Sequence, residues 1–454
     1  MELVYKPSDR PPFGKMVVFA IQQLLAILAA TIAVPAIIGH GMSQSAALFG
    51  AGVGTLVYQL FTKFRSPVFL GSSFAFLGSM GAAFAGAASI SAGYTGLVLG
   101  AIFAGLVYVV IALIVKKFGV AWVSKVMPPV VIGPTVAIIG LSLAGNAIGD
   151  LSKGSVLNAA LVPVASPYVA LICGLVTLFS VIAFSVFGKK MMKMIPFILG
   201  ILAGYVVATI FTVIGHVADA EALKVIDFAK FKNMQWYPDF TFVEAFKGVK
   251  DIDGAFIGTI AVAYVPVAFV VFAEHIADHK NLSTIINYDL TQDPGLGNTL
   301  LGDGVGSIAG AFFGGCPNTT YGESVGCVAI SGCASVATIT LTAFMAIVFA
   351  FIAPLTTFLA TIPSCVMGGV CVTLYGFIAV SGLKMIQKVN LGDNRNLFVV
   401  SVILIAGVGG LSVTFGKVTL TTTACALILG ILTNVLSSIG KKEEAVENTE
   451  EKAE

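Results

Sequence analysis

Long stretches without a single charge constrain this chain more than any other feature. Residues 92–115, 155–187 and 335–361 contain no Asp, Glu, Lys or Arg. Each exceeds the ~20 apolar residues that a bilayer-spanning helix needs. Composition points the same way: 57% of residues are hydrophobic and 11% charged, against the roughly 25% charged residues of soluble domains. The expected class is an all-α polytopic membrane protein. A net charge of +2 argues for neither a nucleic acid nor an acidic partner. Residues 1–14 are polar and Pro-rich, and the first apolar run, Met16 to Ile38, is too long for the core of a signal peptide, so no cleavable leader is expected.

Hydropathy divides the chain into about fourteen spans of bilayer length. Basic residues follow the second, fourth, sixth, eighth, twelfth and fourteenth: Lys63 and Arg65; Lys116 and Lys117; Lys189, Lys190 and Lys193; Lys280; Lys384, Lys388 and Arg395; Lys441 and Lys442. The intervening short loops are nearly free of them, which puts both termini in the cytoplasm by the positive-inside rule. One long connection, residues 218–253, divides the spans into two halves of about seven. An odd number per half means that a duplicated half re-enters the membrane inverted. Gly133 and Gly140 recur as Gly369 and Gly376, although glycines also serve simply to let helices pack closely. The seven cysteines lie in apolar helices or their Gly-rich joints and read as small buried thiols, neither disulfides nor metal ligands.

Two polar, helix-breaking segments interrupt this pattern. The first is LGSSFAF, Leu70 to Phe76; the second is GGCPNTTYGESVG, Gly314 to Gly326. Backbone that is not helical can sit at membrane depth only where protein buries it or a wet cavity borders it. Residues 71–76 and 316–321 are therefore expected to be short extended pieces, in segments 3 and 10, that pair with each other and are each followed by a half-helix. A surface loop is the alternative, but Leu300–Phe313 and Ser324–Ile330 leave little room for two full spans around one. Two broken segments at corresponding places in opposite halves mark the substrate site of inverted-repeat transporters.

Most carboxylates fall in loops or tails; Glu274, Asp278 and Glu323 fall inside spans. A charge at a helix centre costs ~2.5–3.5 kcal/mol on the insertion scale, so such residues are functional candidates. Glu274 and Asp278 share a helix face, although Asp278 could already lie at the interface beside His279 and Lys280. His275 and His279 have a spacing that can hold zinc, but Ile276 stands where a metalloprotease needs glutamate. Two carboxylates that accept, backbone N–H groups that donate, and an aromatic wall suit a planar neutral molecule with N–H and carbonyl groups. A nucleobase has that character and an inorganic anion does not.

These segments resemble the nucleobase–ascorbate transporter family, also called the nucleobase–cation symporter 2 family, and within it the bacterial uracil and uracil-xanthine permeases. The resemblance covers residues 8–440. QQLLAILAATIAVP (Gln22 to Pro35), LGSSFAF, AEHIADH (Ala273 to His279), DPGL (Asp293 to Leu296), PNTTYGES (Pro317 to Ser324) and LYGFIAVSG (Leu374 to Gly382) carry it. It implies fourteen segments as two inverted repeats of seven. The core domain would comprise 16–117 and 254–361, and the gate domain 118–217 and 362–440. Residues 1–15 and the acidic 441–454 would be cytoplasmic, and 218–253 an extracytoplasmic connection.

By position, Glu274 and Glu323 resemble substrate-binding glutamates. Phe74, Tyr321, Gly322 and Ala30 resemble residues of the pocket wall, and Glu274 and Asp278 are the proton-coupling candidates. Gln23, Asp278, Ser324 and Gly332 depart from residues frequent at these places, which bears on the choice of substrate.

The implied function is proton-coupled import of uracil across a bacterial inner membrane by alternating access, with no metal, no cofactor beyond the coupling proton, and homodimerisation in the bilayer. A xanthine or guanine permease is the alternative. An anion transporter or a channel of similar architecture follows it, and no nucleophile–base set suggests an enzyme.

Overall fold

The computed structural model describes residues 3–119, 122, 127–158, 162–189, 192–193, 195–415 and 418–439. Lys190, Lys441, Lys442 and the acidic tail 441–454 lie outside the described residues. In chain order the first half contains α1 (Phe13–Ile38), α2 (Gln44–Phe61), β1 (Leu70–Ser72), a 3-10 turn (Phe74–Phe76) and α3 (Leu77–Ala85). Next come α4 (Ile90–Phe118), α5 (Pro129–Ser142), α6 (Ala144–Asp150), α7 (Pro167–Phe187) and α8 (Pro196–Val217). The connection carries α9 (Thr241–Gly248). The second half contains α10 (Gly254–Ile286), α11 (Leu296–Gly314), β2 (Asn318–Thr320), α12 (Gly322–Ser331), α13 (Val336–Phe349), α14 (Ala353–Thr361) and α15 (Ser364–Ile386). It closes with α16 (Asn394–Val408), a hairpin of β3 (Val413–Phe415) and β4 (Val418–Leu420), and α17 (Thr422–Ile439).

Among the described residues, seven helical runs are long and apolar enough to cross a bilayer: α1, α4, α5 with α6, α7, α8, α10 and α15. An eighth arises if α13 and α14, bent by 84° at their junction, form one span. Proline sets several of the starts. Pro129, Pro167 and Pro196 each occupy the first turn, where the missing N–H is no loss. Among the described residues of the charge-free run 155–187, the helix begins at Pro167.

The two broken segments meet. β1 and β2 pair antiparallel in the register Leu70↔Thr320, Gly71↔Thr319 and Ser72↔Asn318. The ladder continues one step further, with the Ser73 N–H donating to Pro317 O at 2.9 Å. All six strand residues are buried, so pairing supplies the partners that neither lipid nor water can reach. The extended part of the first segment ends sooner than residues 71–76 suggested. Phe74 already begins a 3-10 turn, because the chain must swing from the strand into α3.

Helices α2 and α11, which deliver the two strands, lie against each other at backbone distance. A Cβ built on Gly50 would sit 2.4 Å from Gly310 O. Asn318 fills the space between the helices and the strand pair, its Nδ2 donating to Gly50 O at 3.0 Å. Around this centre pack α1, α4, α10 and α13, while α5, α7, α8, α15, α16 and α17 pack mainly on one another. All seven cysteines are buried and free.

Gly50→Val tests the close approach. It forces a side chain against backbone that has nowhere to move, and overpacking of this kind costs about 1–3 kcal/mol. A clear drop in melting temperature of the detergent-solubilised protein is expected, whereas Gly258→Ala, whose Cβ meets nothing within 4 Å, should melt like wild type. Equal melting of all three would refute the α2–α11 contact.

Candidate functional site: the strand crossing

Both helices that follow the strands start deep inside the protein, and neither start is capped by a side chain. The first N–H groups of a helix have no partner within it, so these donors face whatever occupies the space in front of them. At α12 that space is open. Gly322 is exposed, and a Cβ built on it, or on Gly326 one turn later, would meet nothing within 4 Å.

Glu323 follows directly in the chain and is half-buried. Ser324 is held in place: the Gln23 amide on α1 donates to its hydroxyl, and to its carbonyl at 3.3 Å. Tyr321 is buried at the same helix start, with its hydroxyl donating to Ser72 O on the opposite strand at 2.9 Å. Ala30 is fully buried in α1, which packs along both β1 and α12.

From the other side α10 presents Glu274 and, one turn on, Asp278, both half-buried. Asp278 Oδ2 accepts from the Thr320 hydroxyl of β2 at 2.5 Å, which ties α10 to the strand pair and places Asp278 at the crossing instead of at the membrane surface. Glu274 lies within Coulombic reach of Asp278, Glu323 and Asp303. The aromatic wall is Phe74, whose ring meets Tyr375 of α15 edge to face at 5.5 Å and 79°. Tyr375 was not singled out from sequence, because only the packing of α15 across the opening brings it to Phe74.

A second residue escaped the sequence reading. Asp303, in α11, is 1% exposed and was omitted from the intramembrane carboxylates, although it lies inside the apolar stretch Leu300–Phe313. Its Oδ2 is 2.6 Å from His275 Nδ1, and Nε2 of the same ring is 3.0 Å from the Thr299 hydroxyl. The Thr299 hydroxyl donates to Leu296 O at 3.0 Å, so Nε2 is a donor. His279 donates from Nδ1 to His275 O at 2.8 Å and accepts at Nε2 from the Tyr58 hydroxyl at 2.8 Å. All four ring nitrogens are thus engaged in hydrogen bonds. Among the described residues no group of three or more His, Cys, Asp or Glu is placed to hold a metal ion.

A profile of the xanthine/uracil permeases, described as a permease family, matches residues 14–416. The chain belongs to this family. It is 37% identical to a uracil permease of Bacillus caldolyticus over 446 residues, covering 97% of this chain and 96% of that one. It is 36% identical to a uracil permease of Bacillus subtilis, covering 96% of each chain. With a uracil permease of Escherichia coli K12 the identity is 32%, over 98% of this chain and 97% of the relative. Its family members are permeases and not enzymes, and with its apolar helices the protein is a multi-pass membrane transporter.

Among solved structures, the transmembrane domain of the cyanobacterial bicarbonate transporter BicA superposes with a TM-score of 0.63 at 14% identity, covering 96% of this chain and 100% of that domain. The murine anion transporter Slc26a9 gives 0.65 at 12% identity, over 96% of this chain and 69% of that one. At such identities the likeness concerns the fold alone.

Glu→Gln keeps the size of each carboxylate but replaces one acceptor with a donor. Losing a charge-assisted hydrogen bond lowers affinity roughly ten- to a hundred-fold. Glu323→Gln and Glu274→Gln are each expected to weaken nucleobase binding by that factor in isothermal calorimetry. The control is Glu221→Gln on the exposed connection. Glu221 pairs with its neighbour Lys224, and Glu244 serves less well because, beyond the like pair with Lys247, it accepts from Ser91 of α4 at 3.0 Å. Wild-type affinity in both membrane variants would move the site elsewhere.

Proposed function

We propose that this permease imports uracil together with protons across a bacterial inner membrane. The observation that carries the proposal is the pair of half-buried carboxylates, Glu274 and Glu323, set at an opening where two uncapped helix starts converge. Uracil carries two N–H donors and two carbonyl acceptors on a flat ring. The carboxylates accept from the N–H groups, the backbone amides at the helix starts donate to the carbonyls, and Phe74 covers a face, with Tyr321, Gly322 and Ala30 completing the wall. The full-length similarity to uracil permeases of three bacteria supports the same choice. Xanthine and guanine present N–H and carbonyl groups on a larger ring and remain the alternative substrates. An anion gains nothing from two carboxylates, so the shared fold with bicarbonate and anion transporters does not extend to the substrate.

A proton taken up at Glu274 neutralises one carboxylate when uracil binds and supplies the driving force. Asp278, one turn away and bonded to Thr320, is the second candidate carrier. In alternating access, the core (16–117 and 254–361) moves relative to the gate (118–217 and 362–440), which would also form the homodimer. Both termini would be cytoplasmic, with the 218–253 connection outside. The two packing groups around and beside the strand pair support this division.

Uptake of labelled uracil into cells lacking their own permeases tests the substrate. Saturable, pH-dependent accumulation is expected, competed by excess unlabelled uracil and only weakly by xanthine, guanine, uric acid and thymine. Stronger competition by xanthine or guanine would transfer the assignment to purines. Conductance without saturation would make the protein a channel.

A further inference from the structure

Helix α12 presents Glu323 and the open amide groups, yet it has only 10 residues. A helix this short has little intrinsic stability, below the ~12–15 residues at which isolated helices become marginal. Its placement must therefore come from what grips its two ends. Gln23 grips the first turn through Ser324. The far end is gripped by the polar N-terminal segment ahead of α1, a stretch with no role in the site described above.

The joint between α12 and α13 begins at Gly332, whose φ of +70° closes the helix in the left-handed conformation that glycine adopts without strain. That turn aims the Gly332 carbonyl at the N-terminal segment. The N–H groups of Val4 and Tyr5 both donate to it, at 2.8 and 3.1 Å. Tyr5 pairs with Cys333 in parallel β fashion, and its carbonyl accepts from Ala334 N–H at 2.9 Å. Pro7 O accepts from Val336 N–H at 3.1 Å, and Asp9 O from the Ser335 hydroxyl at 2.6 Å. The side chains hold the same line. Leu3 packs against the apolar cluster that includes Val325 and Val328 of α12, and the Tyr5 ring meets Phe19 of α1 edge to face at 5.9 Å. Residues 3–9 thus lie as a strap along the joint, using backbone groups that would otherwise be unpaired at a helix end.

We propose that residues 3–9, with Tyr5 at their centre, are a positioning element for the substrate site: they fix the far end of α12 and so hold Glu323 and the amides of its first turn against the ligand. The proposal rests on the nucleobase site described above. The strap stays docked to the joint throughout the transport cycle and moves with α12. A loosened strap therefore weakens substrate capture without reducing the number or turnover of folded carriers.

Three variants read this out in permease-deficient cells. Val4→Pro combined with Tyr5→Pro removes both N–H groups that reach Gly332. KM is expected to rise about two- to tenfold, the size of a lost hydrogen bond or two, with maximal velocity and surface expression within about twofold. Tyr5→Phe keeps the backbone and the ring and should match wild type. Tyr5→Cys faces native Cys333 across the β pair, and mild oxidation should join them in a disulfide that mass spectrometry can locate, with KM and velocity preserved. An unchanged KM in the proline variant, or a fall in velocity alone, would reduce the strap to a folding element and overturn the proposal. Failure to cross-link, or a cross-linked carrier that stops transporting, would overturn it as well. The kinetics use whichever nucleobase the wild type accumulates, so a wrong substrate assignment is separated from a wrong strap.

Discussion

Everything at the centre of this permease follows from one constraint: backbone N–H and C=O groups at membrane depth must find partners inside the protein. Two segments of the chain refuse to be helical there. They solve the problem for each other, Leu70–Ser72 pairing with Asn318–Thr320. The solution then dictates the rest. Strands this short need helices delivering them at backbone distance, hence the contact of Gly50 with Gly310. They also force two helices to begin inside the protein, where their first N–H groups point into an opening and not into lipid headgroups. A site with directed donors is a by-product of satisfying the backbone.

The carboxylates complete that site by complementary logic. Donors from the helix starts alone would suit an anion. In the function proposed above, Glu274 and Glu323 reverse that preference and favour a neutral ligand that itself donates. The likeness to transporters named for bicarbonate and other anions concerns the fold alone, and a shared fold leaves the substrate to the residues set on it.

Much of this was legible in the sequence, for physical reasons. Pro317, Gly322 and the hydroxyl residues between them break helical periodicity within an apolar chain, and Glu274 and Glu323 stand out because charge is so costly in a span. What the sequence concealed depends on contacts between distant residues. The register of a three-residue strand has no local signal. The edge contact of Tyr375 with Phe74 exists only because α15 packs across the opening. Asp303 did carry a signal, a carboxylate within an apolar span, but its partner His275 becomes visible only when α10 and α11 lie together. Likewise nothing in the polar, Pro-rich N-terminal stretch announces that its backbone will pair with Gly332 and Cys333, since strand addition reads main chain and not side chains.

The most direct measurement is an experimental structure of the protein with uracil bound. The ring should lie at the strand crossing, within hydrogen-bonding distance of both Glu274 and Glu323 and beside Phe74. Uracil bound away from these residues, or bound there with neither carboxylate in contact, would contradict the central claim that the paired strands build the substrate site.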